Sequence, residues 1–244
     1  MSPAPAVLVA EAEPVHYLPL LTTGVALVFA SRLWARHRER RSGPHLAWWT
    51  AGVLTYGLGT ALESVITLAG NGPFLNRAWY AAGAVLGAYP LAQGSIYLLL
   101  PRRAAHALTA VSLPAVAALC VLCLACPIDP ALLEAHRPSV AAMDCPRVRA
   151  AVPVVNSYAA LFLVGGALWS CALFAFRRPR GPGAGQRALG NGLIAAGAIL
   201  PGVGGYMARG GAVEALYVTE LAGLLLIWAG YAACVREVPR GPAP

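Results

Sequence analysis

The chain has no lysine: all 18 basic residues among its 244 are arginine. That removes imine catalysis and every other chemistry built on a free side-chain amine. It is also poor in charge. Asp, Glu, Lys and Arg together make up 11% of residues, whereas a soluble domain carries about 25%. Such a chain lacks the polar surface a water-soluble fold of this length requires. The familiar hydrolase signatures G-x-S-x-G and H-E-x-x-H are missing as well, and Ser95 in AQGSIY has no base near it in sequence. No catalytic residue is read from the sequence. The five histidines, His16, His37, His45, His106 and His136, lie at the ends of apolar runs or between them, and no two stand four apart within a run. A metal site is not expected.

What is present is apolar. Hydrophobic residues make up 58% of the chain and mean hydropathy is +0.63, so the chain belongs in a lipid bilayer. A spanning helix takes about 20 apolar residues, and runs of that kind occur at 17–33, 47–68, 79–100, 107–126, 153–176, 189–208 and 212–235. Unbroken runs exclude the alternating strands of a membrane barrel. The fold expected is all-α, a bundle of seven transmembrane helices over residues 17–235, with a tail of residues 1–16 and another of 236–244. The sixth run is expected to be interrupted at Pro201, Gly202, Gly204 and Gly205, and kinks are expected at Pro90, Pro114 and Pro201. The first 14 residues lack a basic segment and carry Glu11 and Glu13, so they do not read as a cleavable signal.

Orientation follows from the arginines. Thirteen fall in the connections after the first, third and fifth runs and in the tail: Arg32, Arg36, Arg38, Arg40 and Arg41; Arg102 and Arg103; Arg177, Arg178, Arg180 and Arg187; Arg236 and Arg240. The opposite side has five, Arg77, Arg137, Arg147, Arg149 and Arg209, beside Asp129, Glu134 and Asp144. The positive-inside rule then places the N-terminus outside and the C-terminus in the cytoplasm, as for a multi-pass protein of a cell's inner or plasma membrane. The net charge of +8 is spread over short connections without interleaved aromatics, a pattern for anionic headgroups and not for nucleic acid.

Six cysteines are present. Cys120, Cys123 and Cys126 form C-x-x-C-x-x-C without an accompanying histidine or acid and read as packing residues. Cys126 and Cys145 bracket the outer connection between the fourth and fifth runs, where a disulfide would close the loop.

Carboxylates inside apolar runs are expensive in lipid, about 2.5–3.5 kcal/mol each at mid-membrane, and normally face a bundle interior or a cavity. Glu63 and Glu220 are expected at similar depth near the outer side. Trp79, Tyr80, Asn156, Ser157, Tyr158, Tyr206 and Tyr217 fall near that level, and together they describe an outward-facing polar pocket for a small molecule. The alternative is an interfacial aromatic belt, with the carboxylates held by Arg77 or Arg209 at the rim. A second polar set, Tyr89, Gln93 and Tyr97, repeats at helical spacing and reads as interhelical hydrogen bonding.

A shift of 140 residues superposes Arg38, Arg40, Gly43, Gly52, Gly57 and Gly70 on Arg178, Arg180, Gly183, Gly192, Gly197 and Gly210. A shift of 136 places Gly87 and Gly94 on Gly223 and Gly230. The pattern describes a parallel repeat of three plus one plus three helices. Seven helices with an outer N-terminus resemble the microbial rhodopsins, but that family holds retinal on a lysine, so covalent retinal is excluded here and no cofactor is expected. The paired Pro-Gln signature of the SWEET sugar carriers is also absent. Through PHLAWWTAGVLTYGLGTALES, FLNRAWYAAGAVLG and ALYVTELAGLLLIWAGY the chain resembles uncharacterised bacterial seven-helix proteins and the membrane sensor regions of some histidine kinases. The resemblance implies a sensor or carrier of a small molecule. A sensor would signal through a separate partner, and a homo-oligomer is compatible. The other reading is an intramembrane enzyme or an assembly subunit without a recognisable catalytic motif.

Overall fold

The computed structural model describes residues 14–40, 43–176 and 183–236; the rest of the 1–16 tail, residues 237–244, and the arginines at 41, 177, 178 and 180 lie outside that range. A short 3₁₀ turn, Pro14–Tyr17, leads into α1 (Leu18–Arg40), then α2 (Pro44–Ala69), α3 (Pro73–Trp79), α4 (Tyr89–Leu99), α5 (Arg102–Leu124), α6 (Pro146–Ala160), α7 (Gly166–Phe176), α8 (Ala184–Arg209) and α9 (Val213–Val235). Among the described residues there is no named strand, only the isolated bridge between Ile128 and Met143. Six helical stretches are long and apolar enough to cross a membrane, with α6 and α7 counted as one. The chain is a polytopic helical membrane protein.

The exposed side chains fit that solvent. Val111, Val121 and Leu122 on α5 and Phe176 on α7 point outward, a surface that only lipid tails would cover without penalty. Inside, Phe29, Leu33, Trp49, Val53, Leu91, Leu163, Leu224 and Ile227 form one core. Ile66, Trp79, Val85, Tyr89, Leu119, Met143 and Val152 belong to the other.

The third apolar run departs from expectation: it is a broken segment, not one continuous helix. α3 passes into a π-helical stretch, Tyr80–Val85, and α4 restarts at Tyr89. Leu86 N–H bonds back to the Ala81 carbonyl at 3.0 Å, five residues away, and Pro90 falls in the first turn of α4, where its missing N–H is tolerated. The fifth run contains a second π turn, Leu161–Gly165. The sixth, in contrast, is continuous through Pro201 and its glycines.

Along its length α8 packs closely against α9. Gly190, Gly197 and Gly204 stand seven apart on α8 and face Gly230, Gly223 and Thr219 of α9 respectively. A Cβ on Gly197 would come within 2.5 Å of the Gly223 carbonyl oxygen, so the two backbones touch. Close contact of this kind is how membrane helices associate, since lipid supplies no hydrophobic drive between them. The turns at the capped end use glycine for a different reason. Gly70 ends α2 at φ 99° and Gly211 separates α8 from α9 at φ 98°, conformations that side chains with a Cβ rarely adopt.

Candidate functional site

Glu63 lies six residues before the end of α2 and Glu220 seven residues after the start of α9. At 1.5 Å per residue both carboxyls sit about 10 Å below the same end of the bundle. They face each other, in direct side-chain contact. Glu63 is 1% exposed. Its Oε1 accepts a hydrogen bond from Trp79 Nε1 at 2.7 Å, while the second oxygens, Glu63 Oε2 and Glu220 Oε2, are buried and receive no donor from the described residues.

The neighbours come from three elements. Tyr56, two turns before Glu63 on the same face of α2, donates its hydroxyl to the main-chain carbonyl of Glu220 at 2.9 Å. Tyr217, one turn before Glu220, is fully buried and its hydroxyl lies beside Thr67. Trp79 reaches Glu63 because Gly59 on α2 lets the π stretch approach: a Cβ there would stand 3.1 Å from the Gly83 Cα. One turn from Glu63, Thr60 shares a hydrogen bond of 2.9 Å with Thr23 of α1.

Above this pair the connection between α5 and α6 folds into a cap. Cys126 and Cys145 are disulfide-bonded, and Asp129 N–H to Ala142 O at 2.9 Å and Asp144 N–H to Pro127 O at 3.0 Å zip the loop's two arms. Arg77 Nε donates to the Cys126 carbonyl at 2.6 Å. Asn76 then fixes the loop's centre, donating from Nδ2 to Ser139 O at 2.8 Å and accepting from Ser139 N–H at 2.9 Å. Asn71 donates to the Arg137 carbonyl at 2.9 Å, His136 Nδ1 meets the Thr67 carbonyl at 3.1 Å, and Arg137 Nη2 pairs with Glu214 Oε1 at 2.9 Å. The cap thus spans from α5 and α6 across the ends of α2 and α3 to the start of α9.

Of the residues singled out in the sequence, Glu63, Glu220 and Tyr217 come together. Tyr80, 2% exposed, packs its ring 6.1 Å from that of Trp79. Asn156 is exposed on α6, and Tyr206 is 79% exposed on α8, so neither faces the pair. Tyr158 joins the other polar set. Gln93 Nε2 donates to both Tyr158 Oη and Ser112 Oγ at 3.0 Å, its Oε1 accepts from Thr109 at 3.0 Å, and Ser112 shares a 2.9 Å bond with Tyr89. Tyr97 instead pairs with His106 at 2.9 Å, nearer the opposite end. The rim arrangement with Arg77 is not what forms around Glu63, whose donor is Trp79. The Arg209 side chain lies outside the described residues.

Trp79, expected at this level from the sequence, is the donor to Glu63; Tyr56 is the neighbour that the sequence reading misses. Its signal is periodicity: Tyr56 stands seven residues from Glu63, hence on one helical face. The cysteines Cys120 and Cys123 are free, and no cluster of three metal-ligating side chains occurs among the described residues. Compared with known protein families, curated proteins and solved structures, the chain matches none.

Proposed function

We propose that this is a seven-span protein of a cell's inner or plasma membrane, with its N-terminus outside and its C-terminus in the cytoplasm, that binds a small molecule at an outward-facing site, as a sensor or a carrier. One observation carries the reading: two carboxyl groups from α2 and α9 meet about 10 Å below the capped end. Buried acids in a membrane bundle mark ligand or proton sites far more often than they stabilise the fold. Their position under a disulfide-closed cap, on the side opposite most of the arginines, supports access from outside. The third crossing on this reading is the broken segment Pro73–Trp79, Tyr80–Val85 and Tyr89–Leu99, and discontinuous helices are a recurrent way of building a site at depth in transporters.

The test is a ligand screen by thermal shift on the purified protein, run at several pH values. Compounds that stabilise the wild type are expected to do so in a pH-dependent way, and the double variant Glu63→Gln/Glu220→Gln, which keeps shape and removes titration, should lose both the response and its pH dependence. A full response with unchanged pH dependence in the double variant would reduce the two residues to structural anchors.

A further inference from the structure

We infer that Cys123, Cys126 and Cys145 form a thiol–disulfide exchange site, in which the buried Cys123 thiol displaces Cys145 from Cys126 and the released Cys145 takes up a low-molecular-weight disulfide from the solution at the capped end. The site is separate from the carboxyl pair, and Cys126 is its shared member. Cys126 is bonded to Cys145 across a Cα separation of 5.8 Å. It also closes a turn on Cys123, its N–H reaching the Cys123 carbonyl at 3.1 Å. Such a turn brings the Cα atoms at its two ends within about 7 Å, and disulfides join Cα atoms about 4.4–6.8 Å apart. Because the turn continues α5, side chains three residues apart in it share a face. Cys126 therefore has two sulfur partners in reach. The free Cys123 is held in place, its Sγ donating to the Arg77 carbonyl at 3.7 Å while Arg77 Nε donates to the Cys126 carbonyl at 2.6 Å.

Exposure and leaving-group chemistry set the direction. Cys123 and Cys126 are buried, whereas Cys145 is half-buried and reachable by a small molecule. Cys145 is also the N-cap of α6, with Arg147 and Arg149 in the first turn, and a thiolate is stabilised at a helix N-terminus and beside arginine. Of the two bonded sulfurs it is the better leaving group. The flanking bond from Asp144 N–H to Pro127 O and the anchoring of Ser139 by Asn76 keep the two cysteines side by side when the sulfur bond opens. The deprotonated Cys123 sulfur attacks Cys126 Sγ, the Cys123–Cys126 bond forms as the Cys126–Cys145 bond breaks, and the electron pair of the broken bond leaves on Cys145. The Cys145 thiolate then attacks the small disulfide, forming a mixed disulfide and expelling one thiolate, which takes up the proton that Cys123 lost. Two disulfides and one thiol enter, and two disulfides and one thiol leave, so no further oxidant is required.

The test uses the full-length protein in lipid nanodiscs with oxidised glutathione as the probe. After quenching in acid, cleavage at Met143 separates Cys145 from Cys120, Cys123 and Cys126, and the fragments are mapped by mass spectrometry without reductant. The expected product carries glutathione on Cys145 and a Cys123–Cys126 disulfide, with an equimolar release of reduced glutathione. Cys123→Ala should slow the labelling of Cys145 by about tenfold or more, and Cys120→Ala should leave it as in the wild type. Two wild-type results would overturn the exchange without any variant having to fold: Cys145 still joined to Cys126 and unlabelled, or glutathione on Cys120 or Cys123 with the Cys126–Cys145 bond intact. Equal labelling of Cys145 in Cys123→Ala, or its loss in Cys120→Ala alone, would overturn the part given to Cys123.

Discussion

At the level of single residues the most exposed dependency is the one donor that Glu63 has. Trp79→Phe keeps the ring and removes the indole N–H, so Glu63 Oε1 would join Oε2 in lacking a donor. The expected loss of stability is about 1–3 kcal/mol, measured as a lower unfolding free energy in detergent or bilayer, and a stability equal to wild type would mean the 2.7 Å bond contributes nothing. Gln93→Leu makes the matching prediction for the second polar set. Gln93 is fully buried with three bonds to Ser112, Tyr158 and Thr109; without it Ser112 keeps the Leu108 carbonyl and Tyr89, and Thr109 keeps the Ala105 carbonyl, but Tyr158 loses its bond, so the change should destabilise by a similar amount, while leaving ligand response at the carboxyl pair unchanged. The two carboxylates were legible in the sequence because their penalty in lipid is large whatever surrounds them. Depth was legible too, since residue number along a helix fixes height. Azimuth was not. Tyr206 and Asn156 lie near the expected height but on outward faces, and only knowledge of which neighbour each helix packs against would have separated them from Tyr217.

Among the elements, α8 and α9 make the strongest prediction. Their glycines are in contact backbone to backbone, so Gly197→Val must drive a branched side chain into the Gly223 carbonyl and the Ile227 backbone. Overpacking of this kind is destabilising by about 1–3 kcal/mol. Gly202→Ala is the internal control, because a Cβ there meets nothing within 4 Å and alanine is the better helix former; a thermal midpoint lowered by the first change and held or raised by the second is the expected pair of outcomes. The cap makes another. Non-reducing peptide mapping should recover Cys126 joined to Cys145, and replacing both by serine should lower stability by about 3 kcal/mol on the chain-entropy model for a loop of this order. The sequence showed where these elements lie but not their internal breaks. Pro90 announced a disturbance in the third run, yet the π stretch preceding it depends on Gly83 approaching Gly59 of α2, a tertiary contact. Pro201 announced one in the sixth run, yet α8 runs on through it.

For the whole molecule the decisive question is how many times the chain crosses the membrane, and it turns on residues 73–99. Six stretches qualify as spans by length and composition; this segment does not, because its α-helical pieces are short. Taken from end to end, however, its 27 residues (99 − 73 + 1) rise about 40 Å if nearly helical throughout, more than the roughly 30 Å of hydrocarbon to be crossed. Most of the break is turned inward, with Ala81, Ala82, Val85 and Tyr89 inside the bundle and Gly83 exposed, and burial in protein is the condition under which irregular backbone is tolerated at membrane depth. The arginine division points the same way, since Arg102 and Arg103 belong with the cytoplasmic majority only if the segment crosses. Reporter fusions after Arg41, Arg103, Arg187 and Pro244 should therefore all report cytoplasm. If the segment instead dipped in and returned, the fusion after Arg103 would report the outside. The stretches after it would then be inverted while α2 kept its place, setting the cap and Glu220 on the opposite side of the membrane from the end of α2, against the bonds of Asn71 to the Arg137 carbonyl and of His136 to the Thr67 carbonyl. That single fusion therefore tests the seven-span reading on which the outward site rests.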